Sequence, residues 1–367
     1  MENEWSKLND LKVGLDVASL ALRPNIINMA TIYFNNGYYV VNFILLLLGF
    51  FSGFSLYILS ESAAQLERYN YASLVGTAFS YKFILFCICV LKITRIIFTS
   101  NNLLAILSNY GLNKIVNDKI SFLVMVFICY LLFSYYRKYY KYLALISGCT
   151  ALLFTFTESV GSEYKFFRNE NGYIFNDLGI LMLWLSSHHA VLSLYKFDMM
   201  QRRDRVISSF FSALIDILFY IGIGTFGIEA YPETESIWIN NLENPQYNFL
   251  TLAYLIINIL RYPNALDAIT EDVLKFINLE EFIGSKTEKL VTFFISTSII
   301  APATYFSSLN DIRLWCLLIS SLVMFVFPPV IGLRFCKFSV VDRTIMIITH
   351  IIGVALVLIT FYETFVN

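Results

Sequence analysis

Charged side chains are scarce in this chain of 367 residues. Asp, Glu, Lys and Arg together make up 14% of the sequence, whereas soluble domains carry about 25%. Hydrophobic residues make up 57% and the mean hydropathy is +0.65. This composition excludes an ordinary soluble fold. Because only helices and closed barrels satisfy their backbone in lipid, we predict an all-α polytopic membrane protein in contact with the lipid bilayer.

An excess of charge of either sign is also lacking. The chain has 26 Lys and Arg against 27 Asp and Glu, which leaves a formal net charge of −1. No overall field therefore attracts nucleic acid, and no nucleic-acid partner is predicted. The six cysteines lie within or at the ends of apolar runs, where they are expected to act as small buried apolar residues. No cofactor and no metal site are predicted.

Long apolar runs are abundant. A helix needs about 20 apolar residues to cross the hydrocarbon core, and eleven candidate transmembrane helices are present. No stretch between them is long enough for a soluble domain, so residues 1–367 are predicted to form a single membrane transporter domain. The predicted spans are 11–34, 38–59, 82–107, 120–136, 142–160, 174–195, 206–228, 249–269, 290–309, 314–333 and 344–365.

The Lys and Arg residues are distributed unevenly between the two sets of loops. With a cytoplasmic N-terminus, the inside segments hold 17 of them and the outside segments hold 5. Positive residues favour the cytoplasmic side. We therefore predict a cytoplasmic N-terminus and an extracytoplasmic C-terminus, in the plasma membrane or in a vacuole-like organelle.

The sixth span is interrupted by Ser186, Ser187, His188 and His189. Polar groups in a lipid-buried helix must face other helices or a water-filled cavity. An interrupted span with polar groups is what a substrate pathway through a bilayer needs, so this segment predicts transport. Since histidine exchanges protons near neutral pH, the two histidines are candidates for proton coupling or gating.

Two arginines and an asparagine are candidate polar residues of the first and eighth spans. Arg23 is expected to bind a substrate carboxylate, to pair with Asp16 or to reach the membrane interface. Arg261 needs a partner or water because a charge at mid-helix is costly, and its partner is left open. Asn258 lies about one turn before Arg261 and is expected to line the same cavity.

Two further cations lie on the third span. Lys92 and Arg95 are three residues apart, so they share one face of the helix. We expect them to form a structural charge cluster with Asp216 or Glu158. The alternative is that they line a cavity next to the substrate.

Five short motifs occur in the order in which one transporter family carries them. The sixth span ends in Ser-Ser-His-His-Ala-Val-Leu-Ser-Leu-Tyr, which is similar to that family's histidine motif. Through these motifs the chain resembles the amino acid/auxin permease family over nearly its whole length. The five segments are Phe51–Leu59, Tyr69–Phe79, Ser186–Tyr195, Leu255–Pro263 with Ala268-Ile269 after it, and Phe325–Pro329.

This resemblance implies a leucine-transporter-type fold, which has two inverted repeats of five helices and one extra helix. The repeats would cover about 11–160 and 174–333, and the peripheral helix 344–365. Helices one and six of such a fold are broken, and their half-helix ends bind the substrate. The implied substrate site is Arg23, Pro24, Asn25, Ile26, Ser186, Ser187, His188 and Asn258. The candidates for proton coupling or gating are His188, His189 and Arg261.

The first helix departs from the family's pattern. Glycines are missing from residues 23–31, and Thr31 stands where the family has a proline. Pro24 still disfavours helix at Arg23, so a break remains predicted. Sodium-coupled members have a threonine near the proline of helix eight. That position falls near Arg261 here, and a guanidinium opposes a sodium ion.

The predicted function is therefore secondary active transport of amino acids by alternating access, as a proton-coupled symporter or a facilitator rather than a sodium-coupled carrier. The predicted partners are an amino acid substrate and protons. The main alternative is an amino acid sensor that binds without significant flux. A membrane-embedded enzyme that uses His188 or His189 would need Asn or Asp paired with His in separate loops. The sequence has no such arrangement, so no enzymatic activity is predicted. Which amino acid is carried, and in which direction, is left open.

Overall fold

The computed structural model of the chain describes residues 12–19, 22, 26, 28–109, 140–160, 174–195, 202–230, 248–305 and 310–366. These residues are almost entirely helical, and no strand occurs among them. The predicted fourth span, 120–136, lies outside the described residues, as do Arg23, Pro24 and Asn25 of the predicted site.

The helices follow one another through the whole described chain. Every predicted span except the fourth overlaps at least one of them. A 3-10 turn at Glu280–Phe282 and a π turn at Leu322–Val326 also occur. The helices are α1 (12–19), α2 (Met29–Asn36), α3 (Tyr38–Leu66), α4 (Tyr71–Val75), α5 (Tyr81–Asn109), α6 (Tyr140–Ser159), α7 (Ile174–Leu185), α8 (His188–Tyr195), α9 (Arg202–Ala230), α10 (Asn248–Phe276), α11 (Lys286–Tyr305), α12 (Asn310–Ser321), α13 (Phe327–Phe335) and α14 (Val340–Val366).

Within the described ranges, seven helical segments are long and apolar enough to cross a membrane. The chain is thus an all-α, multi-pass integral membrane protein, as its composition predicts. The total of eleven spans stays a prediction. The seven segments are Tyr38–Leu66, Tyr81–Ser100, Tyr142–Ser159, Arg202–Ala230, Phe249–Phe276, Leu314–Phe335 and Val340–Tyr362.

The helices pack into one bundle with α14 on its outside. Helix α9 contacts α2, α3 and α6, while α10 contacts α5 and α6, and α7 contacts α12. The most apolar window of Leu314–Phe335 is 78% buried in the bundle, against 28% for Val340–Tyr362. Large apolar residues such as Ile351 and Leu358 of α14 are exposed, as expected for a helix whose outer face meets lipid.

The first and sixth spans are each interrupted. In the first, α1 is described as far as residue 19, Leu22 is not helical, and α2 begins at Met29. In the sixth, α7 ends at Leu185 and α8 begins at His188, with two non-helical serines between them. The polar interruption of the sixth span is therefore a break in the helix. By contrast, α10 continues through Pro263 as one helix.

A third irregularity is the π turn before Pro328 and Pro329. Proline has no N–H, so Pro328 cannot donate to the carbonyl of Met324 four residues earlier, or to that of Val323 five residues earlier. The Ser55 hydroxyl donates to the Met324 carbonyl. The Tyr71 hydroxyl donates to the Val323 carbonyl at 2.7 Å. Side chains of α3 and α4 thus satisfy the carbonyls that the prolines leave open.

Candidate functional site

The break in the sixth span is deeply buried. Ser186, Ser187 and His188 are at most 1% exposed, so the unwound backbone lies inside the bundle, where irregular backbone in a membrane is tolerated. Helix α8 begins at His188, which puts the positive end of its dipole at the break. Anions are stabilised at such a helix start.

Arg95 of α5 binds the other side of this break. Its Nε and Nη2 atoms donate to the carbonyl oxygen of Leu183 at 3.2 and 2.8 Å. Its Nη2 also donates to the Ser186 hydroxyl at 2.8 Å and to the Ser186 carbonyl. The arginine is 6% exposed. A buried guanidinium therefore caps the C-terminal end of α7 and offsets the negative end of that helix dipole.

His188 is the polar side chain of the break whose hydrogen-bonding capacity is unused. It is fully buried, and within the described part of the chain neither ring nitrogen has a hydrogen-bond partner. The backbone of Ser52 is the hydrogen-bonding group that approaches the ring, and the charge of Arg95 acts on it. Leaving buried polar atoms unpaired costs free energy, which makes His188 a candidate functional residue. His189, its neighbour, is half-buried.

The break in the first span has an arginine as well. Arg261 of α10 donates from Nη2 to the carbonyl oxygen of Leu22 at 2.7 Å. Leu22 in turn donates its N–H to Ala18 at 3.0 Å, which continues the last turn of α1. The guanidinium therefore caps the carbonyl end of α1, directly before the predicted residues Arg23 to Asn25. Ile26, on the far side of the gap, is 1% exposed.

Asn258 is placed within this second cluster. Its Oδ1 accepts from the Ser147 hydroxyl at 3.0 Å and from Nη1 of Arg261 at 3.4 Å. Its Nδ2 donates to the Tyr254 carbonyl at 2.8 Å. Asn258 is fully buried and links α6 to the arginine. Its predicted contact with a substrate stays a prediction.

The two interrupted spans lie side by side. Asp177 of α7 accepts hydrogen bonds from the side-chain amides of Asn36 at 2.6 Å and Asn35 at 3.5 Å, both on α2. The second half of the first span therefore contacts the first half of the sixth. This contact lies at the ends of the two half-helices that are remote from the breaks, and the predicted substrate site stays a prediction.

The expected charge cluster on α5 is wrong in the partner of Lys92. Lys92 forms an ion pair with Asp272 of α10 at 2.5 Å and donates to the Ala268 carbonyl at 3.1 Å, instead of pairing with Asp216 or Glu158. Sequence reasoning also missed that Arg95 binds backbone carbonyls of the sixth-span break. Spacing along α5 shows which cations share a face, but not which distant helix that face meets.

Metal-ligating side chains do not gather in the described parts of the chain. No group of three or more His, Cys, Asp or Glu residues comes together there in a way that could hold a metal ion. Among the described residues, the guanidiniums of Arg95 and Arg261 donate hydrogen bonds to the backbone at the two breaks.

Comparison with known proteins finds similarity in structure only. No protein-family model matches the sequence, and no curated protein matches it. The chain is similar to the crystal structure of a manganese transporter from Eremococcus coleocola in complex with an aromatic bis-isothiourea compound, with a TM-score of 0.66 and 14% identity over 96% of this chain and 86% of that one. A histidine mutant of that transporter gives a TM-score of 0.49 at 12% identity, over 96% of this chain and 93% of that one. The chain therefore has the fold of a membrane transporter, while its resemblance to amino acid/auxin permeases stays a prediction.

Proposed function

We propose that this chain is a secondary transporter that moves amino acids across a membrane by alternating access, proton-coupled or facilitative rather than sodium-coupled. The observation that carries the proposal is the pair of broken spans, each with a guanidinium on its backbone carbonyls. Broken helices beside one another are the substrate sites of this class of transporter, and the charges around them indicate what they bind.

The electrostatics of the breaks favour a carboxylate over a metal cation. Arg95 offsets the negative end of α7, whereas the positive ends of α2 and α8 remain directed at the breaks. Arg23 adds a further positive charge to the first span by its place in the sequence. Divalent cations are bound by oxygen, nitrogen or thiolate ligands, and an adjacent fixed cation repels them. We therefore assign an amino acid to this site, although the structural neighbour carries manganese.

The arginines also oppose sodium coupling. In carriers with broken helices, unwound carbonyls and the C-terminal ends of half-helices coordinate the coupling ion. In this chain the carbonyls of Leu22, Leu183 and Ser186 accept hydrogen bonds from guanidiniums. A sodium ion would have to displace a fixed positive charge to reach them.

Proton coupling, where it occurs, is assigned first to His188. It is buried beside the break with both ring nitrogens unpartnered among the described residues, and imidazole is the side chain best suited to exchange protons near neutrality. His189, one position on along α8, is assigned a gating role, and Arg261 supports the break of the first span.

Competition for uptake tests the assignment of a carboxylate. Proteoliposomes that contain the purified chain would be given one labelled amino acid with an excess of the unlabelled amino acid, its methyl ester, its decarboxylated amine or MnCl₂. We expect only the free amino acid to compete. Competition by MnCl₂ together with uptake of manganese would contradict the proposal. Saturable binding of an amino acid without uptake would favour the sensor.

Arg23 gives a second test of the same assignment. The substitution Arg23→Ala should raise the KM for uptake by about tenfold or more, since a charge-assisted hydrogen bond to a carboxylate contributes about 1.5–3 kcal/mol. Arg23→Lys should recover part of that affinity. Equal losses of affinity and of protein level in both variants would show that Arg23 is structural.

A further inference from the structure

We infer that Arg95 and Arg261 act as built-in cations, each occupying the carbonyl end of a broken helix where a coupling sodium ion would otherwise bind. This inference rests on the proposed function and assigns two positioning residues to the substrate site. Neither arginine is assigned a contact with the substrate. Each instead positions the backbone of a break, which is assigned to bind the substrate.

At the sixth-span break, the contact geometry is that of a cation site. Two nitrogens of Arg95 converge on the Leu183 carbonyl, and Nη2 reaches both oxygens of Ser186. Backbone carbonyls and a hydroxyl of an unwound segment are the oxygen ligands that transporters offer to alkali cations. In this chain they surround a guanidinium that is buried in the bundle.

At the first-span break, the same arrangement is built from another helix. Arg261 donates to Leu22 at 2.7 Å, and its second terminal nitrogen is held at 3.4 Å by Asn258, itself fixed by Ser147 and Tyr254. The guanidinium is therefore oriented by a buried polar network before it reaches the carbonyl. A preoriented side chain loses little entropy on making this bond.

The two arginines occupy equivalent places in the two predicted repeats. Arg95 lies on the third span and caps a half-helix of the sixth, which is the first span of the other repeat. Arg261 lies on the eighth span, the third of its repeat, and caps a half-helix of the first. Each predicted repeat thus supplies an arginine that caps a broken helix of the other repeat. The same arrangement is therefore encoded twice, by different residues. A chance contact would not be expected to recur at matched positions.

The functional consequence is that the positive charge at each carbonyl end belongs to an arginine side chain and not to a bound ion. The carbonyl ends stay neutralised with or without sodium, and the positive helix ends remain available to an anionic substrate group. The carrier therefore keeps its substrate affinity in sodium-free medium.

Charge-removing and charge-keeping variants separate this role from simple packing. Arg261→Met and Arg95→Met remove the charge and keep a long apolar stem, whereas Arg261→Lys and Arg95→Lys keep the charge. Uptake of a labelled amino acid by proteoliposomes would be measured in sodium chloride and in choline chloride of equal concentration. The thermal unfolding temperature of each purified variant would be measured in the same two salts.

Lys92→Met is the matched control. Lys92 lies on the same helix as Arg95 and bonds the same helix, α10, that carries Arg261, but it pairs with Asp272 away from both breaks. The Lys92→Met variant measures the effect of removing a partly buried positive charge that does not contact either break. It should lower the unfolding temperature without changing the KM or the response to sodium.

We expect the wild type and both lysine variants to show equal uptake in the two salts. The methionine variants should show a KM raised about tenfold and partly restored by sodium, which also raises their unfolding temperature. Methionine variants that are insensitive to sodium, or that match the lysine variants, would overturn the inference. The sodium-dependent unfolding temperature remains readable in a variant without uptake. If the wild type binds an amino acid without carrying it, the proposed function fails while this comparison still decides the inference.

Discussion

Two apolar spans of this protein contain irregular backbone, and they treat the released carbonyls differently. In the tenth span, neutral hydroxyls of Ser55 and Tyr71 bind the carbonyls of the π turn. In the sixth span, the charged side chain of Arg95 binds those of the break. The π turn is thus satisfied by neutral groups, whereas the break contains a fixed charge and His188, a buried imidazole without a hydrogen-bond partner in the described chain.

Under the proposed function, the π turn is a structural irregularity and the sixth-span break is a functional one. A bilayer requires each released carbonyl to find a donor, and both spans meet that requirement. Beyond it, among the described residues, the sixth-span break retains both ring nitrogens of His188, and the tenth span retains the neutral hydroxyl of Ser320. Residual capacity of this kind is costly to keep in a buried place, so changes at the two positions should separate stability from transport.

The largest effect is expected from His188→Leu. If His188 contacts a charged part of the substrate, as proposed for the sixth-span break, its removal should cost up to about 3 kcal/mol in transport, roughly a hundredfold in uptake efficiency. The unfolding temperature should change little, because the hydrogen-bonding capacity of the imidazole is largely unused among the described residues. Uptake and thermal unfolding of the same preparation would measure both.

A pH series separates the two roles of His188. If it couples protons, His188→Ala should alter the pH dependence of the uptake that remains. Unchanged pH dependence with normal insertion into the membrane would remove that role and leave a contact with the substrate.

The next largest effect is expected from Gly353→Ala, a change on α14 at the point where that helix packs against the π turn. A Cβ at this position would lie 2.9 Å from the backbone carbon of Phe325, which cannot move aside as a flexible side chain can. Overpacking of this kind should destabilise the protein by about 2 kcal/mol, visible as a lower unfolding temperature. The KM of the folded fraction should not change, and a raised KM would place the π turn in the substrate pathway.

Ser55→Ala and Tyr71→Phe should each have a smaller effect on stability. Each leaves a buried carbonyl of the π turn without its donor, at a cost of about 1 kcal/mol. Denaturation of each variant and of the double variant would measure this cost. A hundredfold loss of uptake in either variant would remove the distinction between the two spans.

The smallest effect is expected from Asp342→Asn, which lies away from both irregular segments. Asp342 pairs with Arg202 at 2.7 Å, and the arginine side chain is 52% exposed, so the pair should contribute about 0.5 kcal/mol and lose that in high salt. Thermal unfolding at low and high ionic strength checks this. A loss comparable to that of Gly353→Ala would show that surface pairs matter here as much as packing.

Periodicity and apolar length predict most of the architecture. The spans follow from runs of apolar residues, and the break of the sixth span follows from four polar residues in a row, because such groups interrupt a lipid-facing helix. Ser186 to His189 therefore indicate the break before any contact is known. Pro328 and Pro329 indicate an irregular segment, but not that Ser55 and Tyr71 lie opposite it.

The partners of the buried cations could not be predicted in the same way. Arg95 meets residues 88 and 91 positions further along the chain, and Lys92 meets one 180 positions away. Such contacts depend on how each helix is rotated and which neighbour it packs against. The signal that the sequence offers is weaker: a lone arginine in an apolar span needs oxygen acceptors, and a broken helix supplies them.

The most direct test of the account is uptake of a panel of labelled amino acids, with labelled manganese beside them, by proteoliposomes that hold the purified chain. Each would be measured with a pH gradient, with a sodium gradient and with neither. The account predicts saturable uptake of at least one amino acid that a sodium gradient does not enhance, driven by the pH gradient or equal in all three conditions. Uptake of manganese alone, or amino acid uptake that requires sodium, would contradict it.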